Sequence, residues 1–174
     1  SNDNNEGEKD IKNAPQNAPV SILNNLEIPE NILVKGNGKL RETLACFQMI
    51  SKILNVPIRK DSIEKILRDF ISRGAKIDIQ LIAEILSNLG LHVSKGQIPP
   101  NMAFRLQTPC LIKWKNSFAL IIKSSQEGIL IASPVDGFIS VSSEKIESFF
   151  EEGISILLIE KTTETPQIVF SLNW

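Results

Sequence analysis

Apolar residues repeat at one period before Pro99-Pro100 and at another after it, and this switch limits the possible folds more than any other feature of the chain. Before the prolines the spacing is helical. From Lys39 to about Leu54, the residues Leu40, Leu44, Phe47, Met49 or Ile50, and Leu54 return every three or four positions, and Pro57 prevents continuation. Asp61, with Glu64 three residues on, has the form of a helix start; Ile63, Ile66, Leu67, Phe70 and Ile71 make one face, and Gly74 a stop. Asp78 opens a third helix whose face is Leu81, Ile82, Ile85, Leu86 and Leu89, closed by Gly90 ahead of a short extended run, Leu91-His92-Val93. After the prolines, residues 110–115, 117–122, 128–132 and 138–141 are short β-rich runs. Turns at Asn116, at Gln126-Glu127-Gly128 and at residues 134–137 separate them, which predicts an antiparallel meander. A short helix over 143–152 and a last strand, Ile154–Glu160, complete the order. Helices first and strands after predict an α+β domain with the helices on one side of the sheet.

The 174 residues suit one such domain with room for tails. Lys plus Arg (19) balance Asp plus Glu (20), so no global charge calls for nucleic acid or an anionic membrane surface. Two cysteines, Cys46 and Cys110, are too few for a disulfide framework or a zinc site and fit a reducing compartment. His92 is the single histidine, so any ordinary Cys-His or Ser-His catalysis must pass through it. Cys46 falls a turn inside the first helix and reads as core, Cys110 opens a strand after Pro109, and His92 reads as a solvent-side strand residue. A phosphate loop at Gly36-Asn37-Gly38-Lys39 lacks its Ser or Thr and a preceding strand, so a flexible hinge is the better reading. The acidic run Glu144, Glu147, Glu151 and Glu152 reads as a solvated face.

No apolar stretch is long enough to span a membrane. Residues 1–36 are Asn-rich, with three prolines and six acidic against three basic residues, and are expected to form a flexible linker. Their start, Ser1-Asn2, looks like a cloning scar, and Ile22, Leu23 and Leu26 offer one weak apolar hook. The domain is expected over 37–161, followed by a connector over 162–174 that breaks at Pro166 and turns apolar up to Trp174.

Local residues add a resemblance. Arg41-Glu42-Thr43-Leu44-Ala45-Cys46-Phe47 opens the first helix, Lys115-Asn116-Ser117-Phe118 precedes an apolar strand, and Ile131-Ala132-Ser133-Pro134 follows one. In order and spacing these segments resemble the peptidase C39 family, the papain-like N-terminal domains of bacterial ABC exporters. There the first segment reads Asp-Cys-Gly-x-Ala-Cys-Leu, the second carries the catalytic His and the third an Asp-Pro. The catalytic Cys, His and Asp of the family would thus correspond to Glu42, Ser117 and Ser133. Phe170-Ser171-Leu172-Asn173-Trp174 is similar to the junction that leads such domains into the first membrane helix.

With thiol, base and orienting group all replaced, the resemblance implies a degenerate domain that is no enzyme, similar to that of the haemolysin exporter of type I secretion. Such a domain would bind unfolded secreted polypeptide at the cytoplasmic side of the bacterial inner membrane, beside the exporter's own transmembrane and ATPase domains. The full exporter would be a homodimer; ATP would belong to its ATPase domain, with no cofactor or metal in this one. Trp114 is the expected substrate platform near the cleft, and Ile53 and Leu54 the expected apolar contacts. Two other readings stay open: a leader-peptide cysteine protease using Cys46 or Cys110 with His92, and a structural or regulatory module that contacts the ATPase domain.

Overall fold

The computed structural model describes residues 31–166. Three helices come first, α1 (Lys39–Leu54), α2 (Lys60–Ser72) and α3 (Ile79–Asn88). Strand β1 (His92–Ile98) and a 3-10 turn (Pro100–Arg105) precede β2 (Cys110–Trp114), β3 (Ser117–Ser125), β4 (Gly128–Ser133) and β5 (Gly137–Ser142). A second 3-10 turn (Ser143–Lys145) then runs into the one-turn helix α4 (Ile146–Phe149), and β6 (Ile154–Glu160) follows. The strands make one antiparallel sheet in the order β1-β6-β2-β3-β4-β5.

Helix ends follow from the residues that satisfy them. At the start of α1, Gly38 adopts φ 94°, which glycine takes without strain, and its N–H donates to Glu42 Oε2 at 2.9 Å. Asp78 caps α3 by accepting from the Leu81 N–H at 2.8 Å, as its position in sequence predicts. Asp61 does not cap α2: the helix begins one residue earlier, behind Arg59 and without a side-chain cap, leaving Asp61 in the first turn, where its charge suits the helix dipole.

The three N-terminal helices pack on one face of the antiparallel sheet, as expected, and the other face is buried as well. Leu111, Phe118, Leu120, Leu130, Ala132 and Leu157 join Phe47, Met49, Ile50, Leu67, Ile82 and Leu86 in the core beneath α1–α3. The intervening residues Cys110, Ile112, Ala119, Ile121, Ile129 and Ile131 join Ala103, Ile146 and Phe150, so the 3-10 turn and α4 close the other face. Strands covered on both sides need no polar alternation, and Phe118-Ala119-Leu120-Ile121-Ile122 accordingly reads as an unbroken apolar run. The run at Leu91-His92-Val93 extends further than expected: β1 pairs along its whole length with β6, from His92 opposite Glu160 to Ile98 opposite Ile154.

At each end the domain reaches past the expected limits of 37 and 161. Ile32 is only 2% exposed within the main core, and the Gly36 N–H donates to the Pro134 carbonyl at 3.1 Å, so the supposed hinge is a docked segment. Thr165 is buried, and its hydroxyl donates to the Gly90 carbonyl at 2.6 Å. The hook at Ile22, Leu23 and Leu26 and the segment Phe170-Ser171-Leu172-Asn173-Trp174 lie outside the described residues.

Candidate functional site

Three loops meet at one end of the domain. The side chain of Lys39, in the first turn of α1, donates to the Asn116 carbonyl in the β2–β3 hairpin at 3.1 Å and lies 4.7 Å over the Phe118 ring. The bond from Gly36 to Pro134 ties the same helix start to the β4–β5 turn. Glu42, Ser117 and Ser133 are thus carried to a common region, but they engage different partners. The Glu42 carboxylate turns back onto Gly38 and serves the helix start. Ser117 is buried, and its hydroxyl has no hydrogen-bond partner among the described residues. Ser133, fully buried, donates to Asp136 Oδ2 at 3.2 Å and accepts from the Asp136 N–H at 3.0 Å.

Asp136 is the residue that sequence reasoning missed. Its Oδ2 also accepts from the Trp114 indole N–H at 2.8 Å, and its Oδ1 accepts from Lys115 Nζ at 2.8 Å. Burial pushes the carboxyl up, but the hydrogen bonds from Lys115 and Trp114, the Lys115 charge and the Ser133 hydroxyl outweigh it and hold the carboxyl below the usual carboxylate range. In sequence Asp136 is one of four turn residues; its only advance sign is a carboxylate three residues beyond Ser133, where an Asx-type turn is the default reading. Trp114, held by this bond, is 6% exposed and stacks on Phe149 with ring centroids 6.2 Å apart. The open aromatic platform expected there is a covered one, because α4 folds over it. Trp114, Phe149 and Phe150 line a groove of about 580 Å³ beside Asp136.

A second cleft, of about 620 Å³, opens between the helical layer and the sheet. Ile71, Ala75 and Ile77 form its helical wall, Ser117 and Phe118 its strand wall, and Lys39, Lys76, Lys113 and Lys115 its rim. Ile71 is 45% exposed, a large apolar side chain left open where α2 ends.

The remaining candidates lie elsewhere. Cys46 is fully buried in the core under the helices; burial first and the negative charge of Glu42 second push its thiol up. Cys110 is fully buried in the core on the other face, its thiol pushed up to about 12 by burial, with a hydrogen bond from the Leu157 backbone lowering it. His92 is exposed on edge strand β1, with Nε2 3.5 Å from the Ser94 hydroxyl. The sheet therefore separates the two thiols, and neither is paired with the imidazole as the cysteine-protease reading requires. Ile53 and Leu54, at the far end of α1, are half-buried against the core and line neither cleft. Among the described residues no cluster of His, Cys, Asp and Glu is placed to hold a metal ion, and no helix is long and apolar enough to cross a membrane.

Residues 40–164 match the model of the peptidase C39 family. The chain belongs to this family. Its helices and six-stranded antiparallel sheet are the fold of a double glycine motif protease from an AMS/PCAT transporter, solved in complex with the leader peptide. That likeness has a TM-score of 0.59 at 17% identity and covers 75% of this chain and 91% of the other. The peptidase domain of Streptococcus ComA, a bi-functional ABC transporter involved in a quorum sensing pathway, is similar as well. Its TM-score is 0.57 at 15% identity, with 75% of this chain and 98% of that one covered. No curated protein sequence matches this chain significantly. Membership in the C39 family overturns the expectation that the domain is degenerate and no enzyme. The family is one of peptidases, the two solved structures just described are a protease and a peptidase domain, and the residues at 42, 117 and 133 do not by themselves make this domain degenerate.

Proposed function

We propose that this C39 domain serves a bacterial ABC exporter of the type I secretion kind, holding an extended stretch of the transported polypeptide at the cytoplasmic entrance. The observation that carries the reading is the cleft of about 620 Å³ between helices and sheet, with an apolar wall of Ile71, Ala75 and Ile77 under a polar rim. Its size and mixed lining suit a few residues of extended chain, whose apolar side chains are available only while the polypeptide is unfolded. Two further points support it: the two similar structures described above come from ABC transporters, and one of them holds a leader peptide. In the full exporter, ATP and the membrane passage belong to other domains. The groove lined by Trp114, Phe149 and Phe150 shares Lys113 and Lys115 with the cleft and would extend the contact past Trp114. Affinity is modest, since a disordered ligand loses chain entropy on docking.

Family membership favours a second reading, in which the bound segment is a leader peptide that the domain cleaves. Both are tested with the chain of 174 residues. Fluorescein-labelled α-lactalbumin, reduced and carbamidomethylated so that it stays unfolded, should raise its anisotropy on titration with the domain, while the folded calcium-bound form should not. Ile71→Ser should weaken that binding severalfold with the far-UV circular dichroism unchanged. Equal response to folded and unfolded lactalbumin, or none at high micromolar concentration, refutes the holding function. A synthetic double-glycine leader peptide followed by mass spectrometry reports cleavage independently.

A further inference from the structure

We infer that the cleft between the helices and the sheet selects an acidic stretch of polypeptide, its carboxylates lying against Lys39, Lys76 and Lys113 and its apolar side chains against Ile71 and Ala75. The inference rests on the peptide-holding reading and gives it a substrate class.

Charge around the cleft is one-sided in a chain whose net charge is only -1. Four lysines line it against a single carboxylate, Asp78, whose Oδ1 already accepts from the Leu81 N–H. Glu42 is turned onto Gly38, and Lys115 is bound to Asp136 at 2.8 Å. Among the described residues, Lys39, Lys76 and Lys113 have no carboxylate within ion-pair distance. Lys39 shows the crowding: burial first and the charge of Lys113 second hold its ammonium below the usual lysine range, while Glu42 and Asp78 act more weakly in the other direction. An incoming carboxylate would relieve that repulsion. Ser117 belongs to the strand wall, its hydroxyl buried without a partner among the described residues.

The lining distinguishes between kinds of anion. A free phosphate would leave Ile71 and Ala75 uncovered, and a single-stranded nucleic acid needs aromatic faces for its bases, whereas the one aromatic ring in the lining, Phe118, is 1% exposed. Acidic and apolar side chains on one extended strand fit both walls at once.

The test uses three fluorescein-labelled 16-residue peptides with identical Leu and Ile positions, carrying four Glu, four Gln or four Lys at the others. At about 50 mM salt the Glu peptide should bind about tenfold tighter than the Gln peptide, as expected for a few partly exposed ion pairs, and the Lys peptide weakest. At about 500 mM salt, where screening is nearly complete beyond a few ångströms, the Glu and Gln peptides should converge. Lys39→Gln and Lys113→Gln should each reduce the Glu preference severalfold, and Lys145→Gln, away from the cleft, should leave it intact. Glu and Gln peptides bound equally at low salt overturn the acidic preference and leave the holding function standing. Failure of all three peptides to bind overturns both, and a 16-nucleotide oligothymidylate that binds as tightly as the Glu peptide overturns the assignment to polypeptide.

Discussion

Replacing Asp136 by Ala probes the link between the sheet and the candidate site at its most connected residue. The carboxylate accepts from Trp114, Lys115 and Ser133, so its removal has three separate costs. The Trp114 N–H, on a side chain only 6% exposed, loses its acceptor, which costs about 1–3 kcal/mol, and the fully buried Ser133 hydroxyl adds about 1 kcal/mol. Release of Lys115, whose side chain is 61% exposed, costs about 0–1 kcal/mol. The total is about 2–5 kcal/mol, a large share of the roughly 5–15 kcal/mol that holds a domain folded. Urea unfolding followed by far-UV circular dichroism should show the midpoint falling by about 1–2 M. Asp136→Asn, whose side-chain oxygen still accepts from Trp114, should recover about half. Because the folded carboxyl lies below its ordinary range, the ionised form's contribution is complete above the unfolded value of about 3.9 and is lost as pH falls through the folded one. The stability gap between parent and Asp136→Asn should therefore stay constant from about pH 8 to pH 5 and close below about pH 4. An Ala variant as stable as the parent, or a gap that widens in acid, would refute the reasoning.

Both thiols should resist Ellman's reagent at pH 8 in the folded protein and react fully in urea, since both are fully buried and their ionisation is suppressed. Glu42→Ala should cost about 1 kcal/mol in urea unfolding by freeing the Gly38 N–H, and Glu42→Gln should restore most of it, since an amide oxygen accepts the same bond. Gly128→Ala should be among the most damaging single changes: at φ 151° its Cβ would stand 2.1 Å from the Val141 carbonyl oxygen, and the variant should unfold at least about 3 kcal/mol more easily or fail to accumulate as soluble protein.

How far the sequence was legible varied with the physics of each element. α1 and α3 were readable because period and stop signals agree: the helical spacing from Leu40 to Leu54 ends ahead of Pro57, and Asp78 opens α3, which ends ahead of Gly90. The start of α2 misled because Asp61 with Glu64 looks like a capping pair, while the chain had already turned helical at Lys60. β1 was underestimated because His92-Val93-Ser94-Lys95-Gly96-Gln97-Ile98 carries few apolar residues, and its pairing is decided by a strand some sixty positions away. The second buried face of the sheet was concealed in the same way, since an unbroken apolar run does not tell which layer will cover it. Of the site, the resemblance singled out Glu42, Ser117 and Ser133 along the chain, but it did not indicate that Glu42 would turn onto Gly38 and Ser133 onto Asp136. The Asp136 hub and the lysine rim were not legible, because they depend on loops brought together only by the closed sheet.

The place of β6 has a consequence for how the protein is made. β1 reaches the sheet only through β6, which itself lies against β2, so among the described residues the first strand to leave the ribosome is seated by the last. Until β6 has been synthesised, the meander of β2–β5 can form and the helices can pack on it, but β1 has no strand to pair with. During that interval the nascent domain is itself an extended polypeptide with an open sheet edge, and its own β6 must outcompete any other strand that could occupy the vacant position.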